Sequence, residues 1–489
     1  MAAGVAQLAV FKAQVTESIF THDTFYLGAT LFLFLAVGAF GLIDAGLVRR
    51  KNLLDSWVQK MIAALLAGLG MAVVGYAIWY AQYNEAFGIK DWFGEALKQW
   101  WIGGTNFMHF AGNLNPKESP EADVFQVFAV FFVAYAAAAG ALIHSIGLER
   151  AKARVTYVLA VVAGTVVMPF LLYLTWGSTS PLTNAGLHDY IGNFSFYIFI
   201  GTWAMLLAWR LGPRLGVESE HPKTTGPFPH NMGTTAFGVV LLMFCIPWLV
   251  LGCGYYIAGE GYFGIALTHS GIGIALTNVF MAFCGGAVTG GIIAYWKRSS
   301  IMALLGPIAG YVSGVAGFDV YKPWQMLLVA MGGPIVVYGG YLFMGRIKID
   351  ERKVAPLTLF GGAYSAIMVG LVAWHTKDGG YFGLTGAYAP GHSQITPQMQ
   401  LAGIGVTVGA AVLIGLPLIL AMEKLWGLRV SEQDELVGLD VTYWDLPSWE
   451  EAPPVVMAGV VGEGSVGNGA GARRQGDEVA PPGPVMETG

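Results

Sequence analysis

Apolar and polar positions alternate in long blocks from about residue 25 to residue 425. The apolar blocks fall at about 25–48, 56–80, 124–146, 154–176, 190–211, 233–257, 268–295, 301–318, 324–345, 355–374 and 399–425. Each is about 18–28 residues long, enough to cross a hydrocarbon layer of about 30 Å as a helix. Backbone N–H and C=O groups find no water partner in that layer, so each block predicts a helix whose hydrogen bonds close within the segment. The eighth block, Ile301 to Phe318, is the shortest and is rich in glycine. The chain reads as an all-α polytopic membrane protein with eleven crossings.

Charge orients it. Arg49, Arg50, Lys51, Lys60, Arg150, Lys152, Arg154, Arg210, Arg214, Lys223, Lys297, Arg298, Arg346, Lys348, Arg352, Lys353, Lys424, Arg429, Arg473 and Arg474 fall on one side of the alternation, 20 of the 26 Lys and Arg. Lys12, Lys90, Lys98, Lys117, Lys322 and Lys377 fall on the other. Short cytoplasmic loops carry the basic excess, which predicts the N-terminus outside and the C-terminus inside the cytoplasmic membrane.

Composition agrees: 55% of residues are hydrophobic and 12% charged, where a soluble domain is about a quarter charged. The net charge of -5 is spread over loops and tail and implies no nucleic-acid partner. Cys245, Cys253 and Cys284 all fall in apolar blocks and read as small core residues, with no metal or disulfide spacing. Residues 1–22 contain Lys12, Glu17 and His22 and lack a compact apolar core before a cleavage site, so no cleaved signal peptide is expected. Glycines at small-xxx-small spacing, such as Gly286/Gly290 and Gly310/Gly314, predict close helix packing. The expected domains are an extracytoplasmic segment 1–24, a transmembrane domain 25–426, a tail motif 427–450 and a disordered stretch 451–489 rich in Pro and Gly. No nucleophile elbow, phosphate loop, zinc spacing or nucleotide fingerprint is present, so neither enzyme activity nor a cofactor is expected.

Several strings, in order along the chain, resemble the Amt/Mep/Rh ammonium transporter family. Gly46-Leu47-Val48-Arg49-Arg50-Lys51-Asn52 resembles its GLVRxKN, and Gly75-Tyr76 comes next, in the second block. Asp189-Tyr190-Ile191-Gly192-Asn193, ending near Gly212-Pro213-Arg214, is similar to the signature that starts D-F-A-G-G. Pro229-His230-Asn231 resembles the PHN before helix six, and Gly427-Leu428-Arg429-Val430-Ser431-Glu432 through Gly438-Leu439-Asp440 resembles the tail motif GLRVxEExExxGLD. The resemblance implies a homotrimer of eleven-helix subunits, an inverted five-helix repeat with the site near the membrane midplane, and a PII-type signalling protein as a possible cytoplasmic partner.

The resemblance also implies a pore with an outer cation vestibule, a Phe gate and two facing histidines. A cation in an apolar pore is costly to desolvate, whereas ammonia is not. Trp176 falls where the family has its recruiting Trp, Phe125 at the outer gate Phe, and Asp189 at the carboxylate that supports the cation site. Trp248-Leu249-Val250-Leu251-Gly252-Cys253-Gly254-Tyr255 lies over WFGFNAGS, so Leu251 replaces the second gate Phe and Tyr255 the recruiting Ser. The two histidines fall on Tyr197 and Ala363, and both imidazoles are missing.

Each position has a plainer reading. Tyr197 is either a buried packing residue or a pore-lining hydroxyl, Trp176 either a recruiting ring or an interfacial belt residue, and Asp189 either a buried site carboxylate or an exposed helix-start acid. Asp44, within the first block, is an intramembrane acid and so either a functional group or an interhelical hydrogen bond. His144, His230 and His269 align with neither lost histidine. The leading expectation is transport of ammonium or ammonia. The alternatives are a repurposed pore for another small solute and a non-conducting sensor. Placing His at both 197 and 363 is expected to introduce an ammonium-driven current.

Overall fold

The computed structural model describes residues 17–109, 122–217, 228–257 and 259–446. The expected disordered stretch 451–489 and most of the segment 1–24 lie outside them. Helices dominate: α1 (Glu17–Leu47), α2 (Arg50–Ala86), a loop helix α3 (Trp92–Trp100), α4 (Ala122–Ile146), α5 (Ala153–Thr175), α6 (Asn193–Leu211) and α7 (Met232–Leu251). Next come α8 (Ile272–Lys297), α9 (Ser300–Gly314), α10 (Pro323–Arg346), α11 (Pro356–Val372), α12 (Pro397–Trp426) and two short tail helices, α13 (Glu432–Val437) and α14 (Leu439–Trp444). Among the described residues nine helices are long and apolar enough to cross a membrane; α9 and α11 are apolar but shorter.

Local chemistry sets the helix ends. The Asn231 side chain accepts from the Gly233 and Thr234 N–H groups to start α7, and Ser299 and Thr396 do the same for α9 and α12. Pro323 and Pro397 open α10 and α12, where a missing N–H costs nothing. Turns of π-helix interrupt α2 at Met71–Gly75 and α5 at Ala163–Val167, and open α6 at Asn193–Ile198 and α11 at Pro356–Phe360. Such turns re-aim the side chains beyond them and recur at functional sites.

Two apolar blocks end earlier than the hydropathy pattern predicts. The sixth, expected to reach 257, stops as a helix at Leu251. Gly254–Ile257 then forms β1, antiparallel to β2 (Gly261–Gly264), because the glycines free the chain to turn and Tyr255 pairs with Phe263. The eighth leaves the helix after Gly314 and coils through Phe318. A second small ribbon pairs β3 (Lys377–Asp378) with β4 (Ser393–Gln394). Both ribbons lie at one end of the bundle, called here the hairpin side; the tail helices lie at the other.

The glycine spacing does what its pattern predicts where α8 meets α9. A methyl group placed on Gly286 would lie 2.7 Å from the Gly310 backbone, so only glycine allows this approach. Interior faces of the bundle are apolar and aromatic, and so are outward positions such as Val240, Phe244 and Leu413. An apolar exterior of this extent suits hydrocarbon rather than water.

Candidate functional site

A ladder of aromatic rings descends through the bundle. Trp176 at the end of α5 is buried, donating its indole N–H to the Tyr190 carbonyl at 3.0 Å and accepting on its own carbonyl from the Trp79 indole at 2.7 Å. It is no interfacial belt residue. Its ring stacks on Tyr135 of α4 with 16° between planes, and Tyr135 stacks in turn on Phe196 at 5.0 Å. Tyr135 donates to the Ile191 carbonyl at 2.5 Å. Below Phe196, the Tyr197 hydroxyl donates to the Tyr311 hydroxyl of α9 at 2.9 Å, and Tyr311 stacks on Phe318. The π faces of such a ladder are negative and suit a small cation or a polar N–H.

Asp189 is fully buried beside this ladder. Its carboxylate accepts from the Asn193 N–H at 2.6 Å and the Phe194 N–H at 3.2 Å, capping the opening turn of α6. Burial raises its pKa to about 7, with the backbone donors pulling the other way. The Asn193 side chain donates to the Gly362 carbonyl at 2.9 Å, fixing α6 against α11. A methyl group on Gly362 would sit 3.2 Å from the Tyr197 Cβ. Gly362 therefore faces Tyr197, and Ala363, one residue on, is half-buried and turned aside. The gapless count from Phe360 puts the second family histidine on Ala363, a position that does not face Tyr197 in this structure.

The other positions separate. Phe125 packs its ring edge-on to Tyr80 and against Trp100, away from the ladder. Phe128, about one turn on, is the residue buried against Tyr26, Trp79 and Phe132. Trp248 is 38% exposed on the outer face of α7, stacked on Phe32 of α1. Leu251 is buried, its carbonyl accepting from Tyr262 at 2.8 Å. Tyr255 lies in β1, its hydroxyl bonded to that of Tyr83, with the Tyr381 ring edge-on beside it. Tyr83, Tyr255 and Tyr381 thus make a hydroxyl-bearing cluster on the hairpin side.

Three groups that the sequence pattern did not single out belong to the same region. Tyr311 pairs with Tyr197. His188, next to Asp189 in sequence, is fully buried, with Nε2 3.0 Å from Asp319 and Nδ1 3.4 Å from Asp378. Burial alone would lower its pKa, but the two carboxylates outweigh that and hold the imidazole well above its ordinary value. The third group is Lys353 with Lys60, which close on Asp44.

Below the ladder lies a cavity of about 90 Å³, walled by α1, α4, α6, α7, α9 and α11. Tyr135, Tyr197 and Tyr311 line one end, and Leu142, Leu242 and Leu305 are among the apolar walls. Among the described residues no histidine lines it. A single water needs about 10–15 Å³ on this measure, so there is room for several molecules of that size. Asp44, Ser145 and Lys353 form its tail-side end. Lys60 donates to Asp44 at 2.7 Å, to Ser145 at 2.8 Å and to the Ala141 carbonyl at 2.8 Å, and Ser145 donates to Asp44 at 2.5 Å. Lys353 is ion-paired with the second Asp44 oxygen.

The tail docks through buried charge. Glu149 accepts from Arg49 at 2.8 Å and pairs with Arg214 at 3.3 Å; Arg214 pairs with Asp350 at 2.9 Å. Glu435 of α13 joins this collar through Arg49 at 3.4 Å and Arg429 at 2.7 Å. Burial would raise the Glu149 pKa, but Arg49 and Arg214 bring it down to about 2. The Asp440 carboxylate accepts from the Leu54 and Asp55 N–H groups at 3.0 and 2.8 Å, and the Leu439 N–H donates to Asn52 at 2.9 Å. The motif Gly427 to Asp440 is therefore a docked structural unit.

A bundle of apolar helices around an aromatic-capped internal cavity defines a polytopic membrane protein with room inside it for a small solute. The family model described as the Ammonium Transporter Family matches residues 24–447, and the chain belongs to that family. The ammonium transporter Amt1 of Archaeoglobus fulgidus is 28% identical over 424 residues, covering 85% of this chain and 96% of its own. Amt1 of Methanocaldococcus jannaschii is 24% identical over 429 residues, covering 87% and 96%. Among solved structures, a sensor Amt protein superposes with a TM-score of 0.70 at 18% identity, covering 87% of this chain and 99% of that one. Candida albicans Mep2 superposes with a TM-score of 0.65 at 18% identity, covering 87% and 88%.

Proposed function

We propose that this chain moves ammonia, recruited as ammonium, across the cytoplasmic membrane as an eleven-crossing subunit with the N-terminus outside and the C-terminus inside. Nine long apolar helices among the described residues, two shorter ones and the basic excess on the tail side support that topology. On this reading α1, α2, α4, α5 and α6 repeat, inverted, as α7 to α11. Three subunits assemble, and the tail surface receives a PII-type signalling protein.

The observation that carries the reading is the cavity between the Tyr197–Tyr311 pair and Asp44: apolar walls, aromatic hydroxyls at one end and no imidazole among the described lining residues. Ammonium reaching the hairpin side is held by the Tyr83/Tyr255/Tyr381 cluster and the ladder topped by Trp176. A cation entering the apolar cavity loses its hydration without replacement, whereas neutral ammonia crosses at little cost. The proton stays behind near Asp189, whose burial makes it a weak enough acid to accept one near neutral pH. Without paired imidazoles the walls offer no chain of bases for that proton, and net transport is electroneutral.

Proteoliposomes given an ammonium gradient test this. Internal alkalinisation without a current is the expected result; a large ammonium-dependent current unaffected by Asp189→Ala overturns the mechanism. The absence of both supports the non-conducting sensor reading, which the closed Lys353–Asp44 pair favours.

A further inference from the structure

Among the described residues Asp44 presents the single carboxylate in the cavity lining, and two primary ammonium groups converge on it. They are not equivalent. Lys60 is fully buried, and its three N–H donors are matched by Asp44, Ser145 and the Ala141 carbonyl, so it is a fixed part of the wall. Lys353 reaches in from the segment before α11, keeps 16% of its side chain exposed, and pairs with the other carboxylate oxygen. Its ammonium rides on a flexible four-carbon stem. The nearby Glu351 is occupied, accepting the N–H groups of Lys353, Val354 and Ala355 at the start of α11. His144, the remaining titratable neighbour, has a buried Nδ1 with no hydrogen-bond partner among the described residues.

We propose that Asp44 is an internal site for ammonium-class cations, and that the Lys353 side chain is the protein's own alkylammonium occupying that seat and latching the inner end of the cavity. The inference rests on the transport reading above. The chemistry is a like-for-like exchange. A free ammonium ion carries the same charge and N–H donors as the Lys353 Nζ, is smaller, and fits between Asp44 and the cavity space directly above it. While Lys353 is seated, its Nζ fills the carboxylate oxygen that ammonia, having crossed neutral and taken a proton from water on the tail side, would otherwise meet as ammonium. When it swings toward the exposed side, the vacated oxygen accepts ammonium, and Lys60 with Ser145 keep the carboxylate in place.

The test compares the full-length protein with Lys353→Met, which removes the competing cation and retains most of the stem. Ammonium flux into proteoliposomes is read by internal pH and by current, and the thermal midpoint of purified protein is read in ammonium chloride against sodium chloride at matched ionic strength. Lys353→Met is expected to gain flux by at least about fivefold, the low end of an ordinary coupling between competing ligands. Its midpoint rises selectively in ammonium chloride. Lys353→Arg, which keeps a cation in the seat, shows neither gain. If Lys353→Met does not fold, Lys353→Gln takes its place with the same expectations. Flux in the unmodified protein that is unchanged in the variant, with no ammonium-dependent midpoint, overturns the latch and leaves the transport reading standing. A silent unmodified protein with a conducting, ammonium-stabilised variant upholds the latch and overturns the transport reading. Silence in every form, with no ammonium stabilisation, overturns both.

Discussion

The Tyr197 hydroxyl donates to the Tyr311 hydroxyl at 2.9 Å, joining α6 to α9 at the aromatic end of the cavity. Neither Tyr197→Phe nor Tyr311→Phe changes the packed volume much. Each leaves the other hydroxyl without this partner, and each is expected to cost about 1–3 kcal/mol. The double replacement removes both polar groups and should cost less than the two single losses together. Thermal unfolding of the three variants in detergent measures this; additive losses contradict the pairing.

Histidines at 197 and 363 do not form a facing pair. Gly362 is the residue turned toward Tyr197, and Ala363 does not line the cavity. The current that the sequence alone led one to expect from the double replacement is therefore expected to be absent. An ammonium-driven current in Tyr197→His/Ala363→His would contradict this placement of α11.

Asp189 gives a pH signature. Its pKa rises on folding from 3.8 to about 7, so the folded state favours the neutral acid. A raised carboxyl takes stability away above its unfolded value: the loss is absent below about pH 4, grows up to about 7 and is constant beyond. Asp189→Asn should flatten the midpoint-against-pH curve across that window. Asp189→Ala strands the Asn193 and Phe194 N–H groups and should cost about 0.5–2 kcal/mol at any pH.

Glu149 has the opposite sign. Its pKa falls on folding from 4.5 to about 2, so its stabilisation is present above 4.5 and is lost as pH drops toward 2. Glu149→Gln takes one carboxylate from Arg49 and Arg214, which keep Glu435 and Asp350 as partners, so it should cost less than the about 3–5 kcal/mol of leaving a buried charge unpaired. Because Arg49 also holds Glu435, the tail should become protease-sensitive in that variant. Truncation after Leu425 is expected to alter transport or the stability of the proposed trimer, and no change in either would rule out coupling through the tail.

Topology is tested by cysteine labelling in a background without Cys245, Cys253 and Cys284. Lys90→Cys should react with an impermeant maleimide from outside intact cells, and Ser431→Cys only after permeabilisation. Reaction of the second in sealed cells reverses the orientation.

The sequence by itself determined the helical segments, because a hydrocarbon layer demands long apolar runs and closed backbone hydrogen bonds, and both are local properties. It also carried the family strings and the acid at Asp44, since an intramembrane carboxylate stands out in any apolar block. It named Trp176, Asp189 and Tyr197, which the fold brings to one region. It could not decide helical phase. Gly362 rather than Ala363 meets Tyr197 through the packing of α6 on α11, where the Asn193 side chain donates to the Gly362 carbonyl, and residue spacing does not encode that contact. It could not separate Phe125 from Phe128, or see Trp248 turned outward, because one apolar helix offers aromatic rings on every face. Lys60 and Lys353 were counted only as loop charge. Lys353 reaches Asp44 across 309 residues of chain, and only the packing of α1, α2 and the segment before α11 brings the three groups together.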